Sequence, residues 1–181
     1  WKDGSKSSAK VVTGNAEAIS AENWQGKSYS AANKVNIADY FEENTQYHYQ
    51  YTDNYTGDDS VWSAEYDYTT KATDKFSVIL TGDPQVGASG SSSDYSANDA
   101  SVARDAYNWN KTMQQALKTC PDASFLLSAG DQINQSGATK DNDKKTRESE
   151  YAGYLYPSVF RSLPIAATIG NHDMAGSDGT F

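Results

Sequence analysis

Most of the metal-binding chemistry in this sequence lies in short polar motifs: Gly82-Asp83-Pro84-Gln85, Gly130-Asp131-Gln132-Ile133-Asn134 and Gly170-Asn171-His172-Asp173. Together they offer carboxylate, amide and imidazole donors, a set that a divalent cation of the Mn, Fe or Zn kind accepts. Asp83 and Asp131, brought close, would repel each other unless a cation neutralised them. The glycine that opens each motif permits a tight turn and a close backbone approach to a bound group. Gly-Asp alone is a common turn, and His172 alone is as easily a surface histidine. The chemical reading rests on all these motifs occurring in order.

Each motif follows an apolar run: Phe76 to Thr81, Ser124 to Ala129, and Ile165 to Ile169. Nearly continuous apolar runs predict strands buried on both faces. Between the first and second, Val102, Ala106, Trp109, Met113, Ala116 and Leu117 recur at helical spacing, with Asn98 or Asp99 able to cap the start. The segment 146–160 is also helix-like. Alternating strands and helices predict a parallel α/β sheet. Ligands of such sheets bind at the carboxyl ends of the strands. That edge would gather Asp83, Asp131, Asn171 and His172. The stretch 86–97, rich in Gly and Ser, reads as a flexible loop without the lysine or spacing of a phosphate-cradling P-loop. The polar stretch 135–145 reads as a solvated loop.

Residues 1–74 read differently. Tyr47, Tyr49 and Tyr51 alternate with polar residues, which puts them on one sheet face. His48 lies opposite that face and reads as an ordinary strand residue. Val61 to Thr69 alternates again after a turn at 55–59. Lys10 to Thr13 and Lys34 to Ile37 are shorter candidate strands. Short strands with turns between them predict a β-sandwich.

Charge and cysteine content narrow the function. Acidic side chains number 24 against 15 basic ones, a net charge of -9. That balance argues against general nucleic-acid binding. It leaves phosphate-bearing small substrates open, because bound metal ions reverse the local field. The single cysteine, Cys120, permits no intrachain disulfide and reads as a small buried apolar residue. No apolar run approaches the length of a membrane span, and no signal peptide is visible. Abundant Tyr, Ser, Asn and Asp is the composition of many exported bacterial proteins, so the expected location is extracellular or cell-surface.

These motifs resemble the calcineurin-like metallophosphoesterase superfamily, and its purple-acid-phosphatase-related members in particular. The family pattern runs Asp-x-His, then Gly-Asp, then Gly-Asn-His-Asp or Gly-Asn-His-Glu. The stretch from Asn44 to Tyr49, with Trp62-Ser63 and Tyr66 to Thr70, resembles the last strands of the fibronectin-like domain that precedes the catalytic domain in purple acid phosphatases. The resemblance implies a partial fibronectin III-like β-sandwich over 1–74, its opening strands missing. Over 75–181 it implies the N-terminal half of a metallophosphoesterase four-layer α/β sandwich.

The resemblance also assigns roles. Asp83 would bind the first of two divalent or trivalent transition-metal ions (Mn, Fe or Zn), Asp131 would bridge both, and Asn171 would bind the second. His172, with Asn171, would face the substrate phosphate and assist the leaving group, and Asp173 would orient the motif from behind. Gln85 stands where many members have a metal-binding histidine, and it would ligate through its amide oxygen. Asn134 stands where purple acid phosphatases carry their metal-binding tyrosine, so no purple charge-transfer band is expected. The family supplies three further histidines later in sequence, whereas this chain has only His48 and His172. A fragment, inactive alone, is therefore the expectation. For the intact protein it is metal-dependent hydrolysis of small phosphoesters, monoesters foremost. The alternatives are a phosphodiesterase or nucleotidase on the same site, and a non-catalytic cell-surface binding protein with a degraded site.

Overall fold

The computed structural model describes residues 1, 2, 4, 6–17, 21–22, 28–29, 32–90, 99–135 and 141–174. Its architecture is mixed α/β. In the N-terminal part, β1 (Asn15–Glu17) precedes β2 (Ala21–Glu22), β3 (Ser28–Tyr29) and β4 (Ala32–Lys34). β1 pairs antiparallel with β4, and β2 with β3. The candidate strand at Lys10 to Thr13 is not formed, and of Lys34 to Ile37 only Lys34 is in a strand. Val11, Val35 and Ile37 are exposed. Among the described residues no opposing layer buries them, so their β-propensity has nothing to act on.

A second antiparallel ribbon joins β5 (Gln46–Tyr49) to β6 (Tyr66–Thr69), with Tyr47 opposite Tyr68 and Tyr49 opposite Tyr66. These cross-strand aromatic pairs share one face. Phe41 closes over it, its ring 4.7 Å from that of Tyr47 and 5.6 Å from that of Tyr68. Tyr51 lies past the strand and is exposed, though it stacks on Tyr66. Tyr49 Oη donates to the carbonyl of Arg161 (2.7 Å), and the Arg161 guanidinium covers the Tyr66 ring. These contacts tie the ribbon to the α/β part.

That part runs β7 (Ser77–Thr81), α1 (Asp99–Thr119), β8 (Ala123–Ser128), α2 (Asp141–Tyr154) and β9 (Ile165–Ala167). The strands are all parallel, in the order β7-β8-β9. In α1 the apolar stripe faces inward: Val102, Ala106, Trp109 and Met113 are buried, and Ala116, Leu117 and Cys120 pack beside the core. The expected cap at Asn98 or Asp99 lies outside the described side chains, and most of loop 86–97 lies outside the described residues. Helix α2 begins earlier than predicted, at Asp141, and Asp143 falls in its first turn, where the helix dipole favours acids. It ends at Tyr154, short of Pro157, which cannot continue it. A short 3-10 turn, Ser158–Arg161, follows.

Ile79, Leu126 and Ile165 are in register and join the core with Trp109, Met113 and Tyr154 from the helices. A sheet that grows in one direction with crossovers of one hand carries both helices on one face. The other face holds Val78 and Leu80, in register with Phe125 and Leu127. The prediction that β7 is buried on both faces therefore fails: Phe76 is 60% exposed and Leu80 67%. No helix among the described residues is long and apolar enough to cross a membrane.

Candidate metal site at the carboxyl end of the sheet

Beyond β7 and β8 the backbone pairing continues into the loops. Asp83 N–H donates to Gly130 O (3.2 Å), Gln85 N–H to Asp131 O (2.9 Å), and Val86 N–H to Gln132 O (3.1 Å). Val86 and Ile133 form a parallel bridge and are fully buried, so Val86, expected to open a flexible loop, belongs instead to the buried frame. This path needs left-handed backbone, with φ +50° at Asp83, +36° at Gln85, +106° at Gly130 and +52° at Asp131. Among the described residues, Asn44 is the one other non-glycine position with positive φ. Such conformations are costly and persist where their surroundings over-determine them, often at functional sites. Space also requires glycine at 130 and 170. A Cβ on Gly130 would overlap the Gly170 backbone, and one on Gly170 would overlap the Asp131 carboxyl.

The side chains converge from this frame. Gln85 Nε2 is 3.5 Å from both Asp83 Oδ1 and Asp131 Oδ2. At that length the amide is a weak donor. Rotating it by half a turn would point its oxygen at the same spot. Asp131 Oδ1 accepts the His172 backbone N–H at 2.9 Å. His172, half-buried, places Nδ1 2.5 Å from Asn134 O. A carbonyl only accepts, so Nδ1 carries the proton and Nε2 is the free nitrogen. Asp83, Gln85, Asp131 and His172 thus belong to one network. Asn171 is exposed, between two residues whose backbones abut the Asp131 carboxylate. Paired carboxylates with a weakly held amide between them fit a hard or borderline cation.

Asp173 points away from this donor set. It is buried, and its carboxylate accepts from Gln132 N–H (3.1 Å), Gly170 N–H (2.9 Å) and Tyr151 Oη (3.2 Å). It therefore pins the loop carrying Asn171 and His172 to the loop carrying Asp131.

One turn of α2 holds the same loops from below, and sequence reasoning missed it. Arg147 donates to the carbonyls of Gln135 (2.6 Å), His172 (2.9 Å) and Asp173 (2.5 Å). Glu150 is fully buried, and its Oε2 accepts from Asn134 N–H (3.0 Å) and Gln135 N–H (2.7 Å). Burial pushes the Glu150 carboxyl up to about 7, against those N–H groups and the positive charge of Arg147. Burial, with the Asp173 carboxylate beside it, pushes the Tyr151 hydroxyl up to about 12, which keeps it a donor. The only sequence signal was the i, i+3, i+4 spacing of Arg147, Glu150 and Tyr151 on a helix without an apolar stripe.

Elsewhere, His48 is less ordinary than its strand position suggests. Its Nδ1 lies 2.7 Å from Asp67 and 3.4 Å from Glu65, and Trp1 stacks on its ring. Among the described residues these three form the one His/Cys/Asp/Glu group compact enough to hold an ion. Both carboxylates are well exposed, which makes this a solvated surface contact, worth little energetically.

Compared with family models, curated proteins and solved structures, the chain matches none.

Proposed function

We propose that the site serves metal-dependent hydrolysis of small phosphoesters, monoesters foremost, within a metallophosphoesterase-like domain that follows a fibronectin-like one. The observation that carries this reading is the convergence of Asp83, Gln85 and Asp131 on left-handed backbone at the carboxyl end of a parallel sheet. Asp83, Gln85, Asp131 and Asn171 would hold Mn, Fe or Zn ions. When bound, such ions acidify water and neutralise charge on phosphoryl oxygens. The chain's own part is orientation and proton transfer. His172, with Nδ1–H committed to Asn134 O, leaves Nε2 to take up a proton, and the imidazolium so formed gives that proton to a departing alkoxide. Arg147 and Asp173 hold that ring and Asp131 in fixed relation.

The test is hydrolysis of an aryl phosphate monoester and diester by the intact protein with added Mn, Fe or Zn, beside Asp131→Asn. Activity that requires metal and is lost in the variant supports the reading, and the monoester-to-diester ratio sets the subclass. No turnover with any metal by a folded protein sinks it. Gln85 favours one other reading. Its amide already lies between the carboxylates, as it would in a surface binding protein that no longer takes a cation. That protein would hold no transition metal.

A further inference from the structure

We propose that Glu150 is a positioning residue for His172, acting through the single peptide group that joins Asn134 to Gln135. The inference rests on the functional reading above for its catalytic meaning and on geometry alone for its existence. The Gln135 N–H of that peptide donates to Glu150 Oε2 at 2.7 Å. Its carbonyl, on Asn134, receives His172 Nδ1–H at 2.5 Å. A carboxylate on the N–H side polarises the amide and makes its carbonyl a stronger acceptor. The ring is then held in the Nδ1–H tautomer with Nε2 outward. A carboxylate bonded directly to a histidine does the same job; here it stands one peptide further away.

Further features fix the Glu150 carboxyl in this position. Glu150 also accepts the Asn134 N–H at 3.0 Å, so the same oxygen fixes the N–H groups on both sides of the Asn134 α-carbon. Its Oε1 has no partner among the described residues. Gly87 leaves it room, since a Cβ there would overlap the carboxyl. A scaffold needing only an acceptor could use glutamine. A glutamine side chain keeps an acceptor oxygen and the same volume and loses the charge, which makes Glu150→Gln the discriminating variant.

The experiment is NMR of the intact protein labelled throughout with magnetic isotopes of nitrogen and carbon, above the range where histidine ordinarily titrates. His172 is assigned from signals lost in His172→Asn. The wild type is expected to show the Nδ1–H form and a through-hydrogen-bond coupling between the Gln135 nitrogen and the Glu150 carboxyl carbon. In Glu150→Gln the Gln135 amide proton should move upfield and the Nδ1–H fraction should fall towards that of free imidazole. Glu150→Asp should recover part of both. If the enzyme is active, kcat in Glu150→Gln should drop by about 10-fold or more with KM unchanged. An unchanged tautomer and Gln135 shift in a folded Glu150→Gln would overturn the proposal. Should that variant not fold, a wild type lacking the Nδ1–H form overturns it equally. A tautomer that responds to Glu150 in a protein without turnover would sink the phosphoesterase and leave the relay standing; turnover with an indifferent tautomer would do the reverse.

Discussion

Arg147 is the residue whose loss should loosen the site most without touching a proposed ligand side chain. Its guanidinium is buried and reaches the Gln135, His172 and Asp173 carbonyls, all within 3.0 Å. Hydrogen bonds to a charged donor contribute about 1.5–3 kcal/mol each and are not additive. Some of these carbonyls would find water once the loop opens, so Arg147→Ala should cost about 3 kcal/mol in all. For a chain of this size that is a fall of roughly 6–12 °C in Tm. Arg147→Lys keeps the charge and loses the planar fork, and a single ammonium cannot serve carbonyls on both loops. It should cost about 2 kcal/mol. The assays are urea denaturation and amide exchange on the intact protein. Exchange should accelerate at 171–174 and stay slow at Leu126, which is fully buried in the sheet. An Arg147→Lys protein within about 0.5 kcal/mol of wild type, with loop exchange unchanged, would refute the reasoning.

Other perturbations test the same frame. Glu150 ionises at about 7 in the folded protein against its ordinary 4.5, so the native state holds the proton longer than the unfolded chain. The contribution is therefore fully present below 4.5 and is lost as pH rises through 7. Relative to wild type, Glu150→Gln should gain in urea midpoint across that window, and a difference independent of pH would contradict the burial argument. Gly130→Ala should destabilise the protein by more than about 1 kcal/mol, since it needs both φ +106° and the space of the Gly170 backbone; an unchanged Tm would contradict this. Mn or Zn should raise the Tm of the intact protein by mass action, and Asp131→Asn should abolish that rise, as read by differential scanning calorimetry. Leu126→Ala should cost about 2–5 kcal/mol through the cavity it leaves, measured by the same denaturation.

The sequence alone determined the parallel α/β order. Apolar runs that feed Gly-Asp and Gly-Asn-His motifs, separated by the helical spacing of Val102 to Leu117, admit few other arrangements, because strand period and helix period are local properties of the chain. It also placed Asp83, Asp131 and His172 at the strand ends. What it could not reach was long-range. Whether Val78 and Leu80 are covered depends on which sheet face the helices choose, and an apolar residue looks the same on either. Lys10 to Thr13 reads as a strand, yet a strand needs a partner and this one has none among the described residues. The support beneath the site is tertiary as well. Nothing in the sequence singles out Glu150 or Arg147, and it is the approach of α2 to the Asn134 and His172 loops that makes them a buried acceptor and donor. A buried charge is tolerated only where partners from distant segments meet it, and local sequence spacing carries no record of those partners.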